Sequence, residues 1–90
     1  GVYAVECSLE NNNYKGIANM GLRPTVGGKH PVLEVHLFDF DDDIYSKRVT
    51  IKFIKKIRDE KKFDNLDMLK LQIQQDILIA KKFLNNSNDY

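Results

Sequence analysis

Val2-Tyr3-Ala4-Val5-Glu6-Cys7-Ser8-Leu9, followed by Asn11-Asn12-Asn13 and then by Tyr14 to Met20, is the stretch on which the fold turns. β-Branched, aromatic and small apolar residues favour extended backbone, and asparagines tolerate the geometry of a tight turn. The run predicts an antiparallel hairpin. Beyond it, Gly27-Gly28-Lys29-His30-Pro31 breaks the chain before a third strand, in which Leu33, Val35 and Leu37 alternate with Glu34, His36 and Phe38. Glu34 and His36 therefore share the face opposite to Leu33, Val35 and Leu37. A fourth strand follows an acidic turn, with Val49, Ile51 and Phe53 on one side and Thr50, Lys52 and Ile54 on the other. Short strands in sequential order predict an antiparallel barrel or sandwich.

The last element changes period. Leu66, Leu69, Ile73, Ile77, Ala80 and Leu84 recur at helical spacing, with Asp64 or Asn65 placed to cap the start. One amphipathic helix is predicted to dock on the sheet, because each buried Leu or Ile is worth about 1.5–3 kcal/mol against exposure. Asn85 to Tyr90 reads as a polar tail, so the domain is predicted to span residues 1–84 and the tail residues 85–90.

Ninety residues form at most one domain, and such a chain buries only about 60–65 % of its unfolded surface. With 42 % apolar and 30 % charged residues the composition is that of a soluble globular domain, and no apolar run approaches a membrane span. The net charge of +1 provides no global attraction for nucleic acid. Cys7 stands alone, so no intrachain disulfide forms, and a reducing cytoplasm is the expected compartment. Strand-like sequence already at Val2, after Gly1 rather than Met, predicts a piece of something longer.

Three segments carry more than folding requires. Gly16-Ile17-Ala18-Asn19-Met20-Gly21-Leu22-Arg23-Pro24-Thr25 is a strand running into a Gly/Pro-punctuated loop. Leu33 to Phe40, followed by an acidic turn and Ile44-Tyr45, sets one carboxylate in an apolar strand. Arg58-Asp59-Glu60-Lys61-Lys62-Phe63-Asp64-Asn65-Leu66 is a charged loop with a lone aromatic before the helix. From Gly1 to about Leu84 the chain resembles the riboflavin kinase domain of bacterial bifunctional riboflavin kinase/FMN adenylyltransferases, and the monofunctional eukaryotic riboflavin kinases. The resemblance implies a small, mainly β Greek-key barrel closed by one C-terminal helix. It also implies ATP-dependent phosphorylation of the ribityl 5′-hydroxyl of riboflavin to give FMN, with Mg²⁺, and attachment to an N-terminal adenylyltransferase domain in the parent chain.

By that resemblance Glu34 is the catalytic base, Arg58, Lys61 and Phe63 hold the flavin, and Leu37, Asp39 and Tyr45 fall where ATP is contacted. A carboxylate on a rigid strand is able to orient an alcohol and accept its proton, and Phe63 offers a flat face to a ring system. Arg58 and Lys61 carry the charge to meet the FMN phosphate. The same residues have plainer readings. Glu34 is a cross-strand partner, Phe63 a staple for the helix, Arg58 with Glu60 a surface pair, and Tyr45 ordinary strand-end packing. His36 reads as a structural histidine because no third ligand stands at metal-binding spacing, and Asp39 to Asp43 lacks the ligand spacing of a calcium loop.

One departure is informative. The family's Pro-Thr-Ala-Asn run, whose Thr and Asn organise Mg²⁺ and ATP, belongs to a glycine-rich strand-loop ahead of Gly1, and Pro24-Thr25 is not that motif. No metal ligand is therefore assigned, and the 90 residues alone are expected to form little FMN. Two other classes remain to be weighed. One is a flavin-binding module without catalysis. The other is a nucleic-acid-binding barrel using Lys47, Arg48, Lys52, Lys55, Lys56, Arg58, Lys61 and Lys62, which lack interleaved base-stacking aromatics.

Overall fold

A computed structural model describes residues 1–40 and 48–86. Strands β1 (Val2–Leu9), β2 (Asn12–Thr25), β3 (Gly28–Leu37) and β4 (Val49–Arg58) precede helix α1 (Leu66–Asn86). All strand pairs are antiparallel, and the order across the sheet is β3-β2-β1-β4. This is the Greek-key order: three hairpin-connected strands, with the fourth returning beside the first. Among the described residues the strands make one sheet with β3 and β4 at its edges.

The first hairpin closes through Glu10 and Asn11, both at positive φ (50° and 69°), between the paired Leu9 and Asn12. Two consecutive left-handed residues match the twist of the flanking strands. The second hairpin turns at Val26 and Gly27 (φ 97°), so Gly21 to Pro24 and Lys29 to Pro31 are strand rather than the loop their Gly and Pro content predicts. The reason is an edge effect. β1 pairs with β2 only as far as Asn19, which leaves the outer half of β2 with β3 as its one strand neighbour. A proline there removes no ladder bond.

Val2 and Ala4 are buried on one face of β1, and Val5, Cys7 and Leu9 on the other, so this central strand is covered on both sides. On the helix face Ala4, Ala80 and Leu84 form the core, with Ile17, Phe38, Ile54 and Ile57 packed against it. Two register shifts of β4 against β1 explain why Ile54 and Ile57, which strict alternation assigns to opposite faces, both reach this core. On the far face Tyr3 and Phe53 pack with ring centroids 5.0 Å apart, and burial pushes the Cys7 thiol pKa up. The helix is capped by Asn65, whose side-chain oxygen accepts from the Met68 amide at 2.9 Å. No helix among the described residues is long and apolar enough to cross a membrane.

Candidate functional site

The predicted apolar stripe of α1 divides in two. Ala80 and Leu84 are fully buried in the core, whereas Leu69, Ile73 and Ile77 line a cleft between the helix and the sheet. Leu66 lies outside the packed interface at 70 % exposure. The cleft has a volume of about 740 Å³ and is walled by Ile17, Asn19, Glu34, His36 and Arg58 from the sheet and by Lys61 and Phe63 from the connection to α1. Glu34, Arg58, Lys61 and Phe63, separated by up to 29 positions in sequence, thus face one space.

Arg58 is not free in that space. Its Nε lies 3.0 Å from both carboxylate oxygens of Asp76, its Nη2 lies 2.9 Å from Oδ2, and its Nη1 donates to the Asp59 carbonyl at 3.1 Å. Asp76, 1 % exposed, also accepts from Gln72 Nε2 at 3.0 Å. The partner of Arg58 is therefore Asp76 rather than Glu60. Glu60 stands instead 3.9 Å from the N-terminal amine. Sequence reasoning missed Asp76, yet a signal existed: it is an acidic residue one position before Ile77 on the inward face of the helix.

Phe63 lies under two cations, with the Arg58 guanidinium 5.7 Å and the Lys61 ammonium 5.6 Å from its ring centroid. Lys61 is exposed and makes no ion pair among the described residues. On the opposite wall the Glu34 carboxylate accepts from the Arg23 guanidinium, and both side chains are about half exposed. Asn19, directly opposite Glu34 in the β2–β3 register, has a buried side-chain oxygen with no hydrogen-bond partner. Next to the loop, Lys56 donates to Asp59 at 2.5 Å, which holds the Asp59 carboxyl below the ordinary range and the Lys56 ammonium above it.

The residues assigned to ATP do not join this group. Leu37 ends β3 opposite Gly16, and Asp39, at φ 55°, lines a separate cleft of about 490 Å³ with Tyr14, Lys15, Phe38 and Lys81. Tyr45 and the acidic turn from Asp41 lie outside the described residues. Among the described residues no three His, Cys, Asp or Glu side chains are grouped to hold a metal.

A Greek-key sheet with one covering helix encloses a mostly apolar, cation-bearing cleft, and comparison with known proteins places this arrangement in a family. The family model for riboflavin kinase (Flavokinase) matches residues 1–84, and the chain belongs to this family. It is similar to the bifunctional riboflavin kinase/FMN adenylyltransferase of Haemophilus influenzae, with 49 % identity over 87 residues, covering 96 % of this chain and 28 % of that protein. The Escherichia coli K12 protein of the same name is 48 % identical over 84 residues, covering 92 % of this chain and 27 % of that protein. A Bacillus subtilis relative named RNA-binding riboflavin kinase RibR is 41 % identical over 85 residues, covering 92 % of this chain and 37 % of that protein. The chain thus spans between 27 % and 37 % of the length of these relatives. In structure it is similar to a crystal structure described as a macrolide-efflux protein from Streptococcus pneumoniae. The TM-score is 0.77 at 37 % identity, covering 84 % of this chain and 25 % of that one.

Proposed function

We propose that these residues form the flavin-binding and proton-accepting part of a cytoplasmic riboflavin kinase that converts riboflavin and ATP to FMN and ADP. The observation that carries the reading is the single cleft onto which Glu34, Arg58, Lys61 and Phe63 all open. The isoalloxazine ring packs on Phe63 and against Leu69 and Ile73, taking the place that Lys61 holds over the Phe63 ring. Arg58 keeps its place because Asp76 and the Asp59 carbonyl occupy its donors. Lys61, once displaced, is the cation available to the phosphate of FMN, and the phosphate role expected of Arg58 passes to it.

The ribityl chain then runs toward Glu34. Its 5′-oxygen attacks the γ-phosphorus of ATP, the bond from that phosphorus to the β-phosphate oxygen breaks, ADP leaves, and the hydroxyl proton passes to Glu34. For this to happen Arg23 must yield its hold on the carboxylate, and an exposed pair worth about 0.2–1 kcal/mol opposes that only weakly. Leu37, Asp39 and Tyr45 are proposed as contacts to the nucleotide. Mg²⁺ belongs to the proposed reaction as it does to phosphoryl transfer generally, but the described side chains do not fit a metal centre.

As in the bifunctional relatives, an adenylyltransferase domain is the proposed neighbour. Nucleic acid is not a proposed partner, because the basic residues of β4 are largely engaged. Lys56 pairs with Asp59, Arg58 with Asp76, and Lys55 lies 5.8 Å from the Phe83 ring centroid.

The test is FMN formation, followed by chromatography with ATP and Mg²⁺, in the full protein carrying these residues. Glu34→Gln keeps the side-chain shape and removes the proton acceptor, so kcat falls by about 10²–10⁴ while flavin affinity changes little. Near-normal turnover in that variant removes Glu34 as the base.

A further inference from the structure

We infer that Asn19 is a specificity-determining residue of the cleft, accepting a hydrogen bond from a hydroxyl of the polyol chain next to the one whose proton Glu34 takes. The inference rests on the flavin reading of the cleft. Its own evidence is the Asn19 side-chain oxygen, which is buried and has no hydrogen-bond partner, the one such side-chain atom among the described residues. Buried polar atoms in native proteins are almost always paired, and an orphan calls for a physical explanation.

Its position supplies one. Asn19 is the direct cross-strand partner of Glu34, so the two side chains rise from the same face about 4.5–5.5 Å apart at Cβ. Asn19 lines both the large cleft and a smaller one of about 340 Å³ that also reaches Glu34, Arg23 and Lys61. Nothing next to it on the strand donates: on β2 its same-face neighbours are Ile17 and Gly21, and across on β1 it meets Val2. The nearest guanidinium groups are committed, Arg23 to Glu34 and Arg58 to Asp76, and Lys61, which lines both clefts, holds its ammonium over the Phe63 ring.

A ligand that satisfies Asn19 must therefore bring its own donor to a point beside the Glu34 carboxylate. The ring end of a flavin seated on Phe63 has its apolar wall at Leu69 and Ile73, on the helix side of the cleft. What reaches the Glu34–Asn19 rung is the polyol, whose successive hydroxyls supply one proton for Glu34 and one hydrogen bond for Asn19. Selection works through this pairing: a site built to bond a hydroxyl rejects the analogue that lacks it, because the buried acceptor is then left unpaired.

The experiment compares riboflavin with lumichrome, the alloxazine tautomer of the same tricyclic ring without the ribityl chain, by fluorescence titration of the 90-residue chain and of its Asn19→Leu and Asn19→Ala variants. Leucine matches asparagine in size and has no polar atom, while alanine covers the case in which leucine is not accommodated. The expected result is a loss of about tenfold in riboflavin affinity, equivalent to one good hydrogen bond, with lumichrome affinity unchanged. The thermal midpoint of the free Leu variant should equal or exceed that of wild type, because an orphaned buried oxygen has been removed. Equal loss of both ligands, or a lowered midpoint with the riboflavin-to-lumichrome ratio intact, shows a structural role and overturns the inference. So does undiminished riboflavin binding. Wild-type chain that binds neither compound overturns the flavin reading of the cleft itself and this inference with it, an outcome distinguishable from failure at Asn19 alone.

Discussion

Arg58 and Asp76 form the contact in which a single residue governs the most structure. Asp76 is 1 % exposed, and the Arg58 side chain only 19 %, so the pair ties the end of β4 to the middle of α1 in a low-dielectric setting. Breaking a buried pair by removing one partner strands the other charge, at a cost of about 3–5 kcal/mol, and partial access of water to Arg58 moves this toward the lower bound. Asp76→Ala is accordingly expected to lower stability by about 3 kcal/mol, read from the urea midpoint at constant m-value. The double variant Arg58→Met/Asp76→Leu should recover most of that loss, because two apolar side chains replace two charges without leaving either unpaired. If the double variant is no more stable than Asp76→Ala, lost packing rather than the stranded charge explains the effect.

The helix is the element with two duties. Its C-terminal half closes the core through Ala80 and Leu84, and its N-terminal half forms one wall of the cleft through Leu69, Ile73 and Ile77. That N-terminal half has little core packing to hold it, so its first turn leans on the Asn65 cap. Asn65→Ala should cost about 1 kcal/mol in thermal or urea unfolding, and Asn65→Ser should restore nearly all of it. An Ala variant as stable as wild type implies that the first turn is held by other contacts.

For the molecule as a whole, the described residues bring together a cleft of about 740 Å³ but no grouped metal ligands. The β2–β3 face opposite to Glu34 leaves Met20, Leu22 and Leu33 between 42 % and 66 % exposed. Phosphoryl transfer needs a metal to neutralise the nucleotide phosphates, so a flavin pocket alone is expected to give almost no rate. The 90 residues, incubated with riboflavin, ATP and Mg²⁺, should bind riboflavin yet form little FMN by chromatography. Robust turnover would place the nucleotide site among side chains such as Arg23, Thr25 and Asp39.

The local pattern of residues determined much of this by itself. Alternation located β1, β3 and β4, helical spacing located α1, and Asn65 was one of two legible caps, because these features depend on neighbours in the chain. The motif resemblance likewise singled out Glu34, Arg58, Lys61 and Phe63, which line the same cleft. Tertiary structure decided the rest. Gly21 to Pro24 became strand because an edge position excuses a missing amide, and Ile54 joined Ile57 in the core because β4 slips register against β1. Whether Arg58 is a free cation or one bound to Asp76, and whether Asn19 is paired or orphaned, depends on groups distant in sequence. Hydrogen-bond satisfaction is a property of the space around a side chain, and that space exists only once the helix has closed over the sheet.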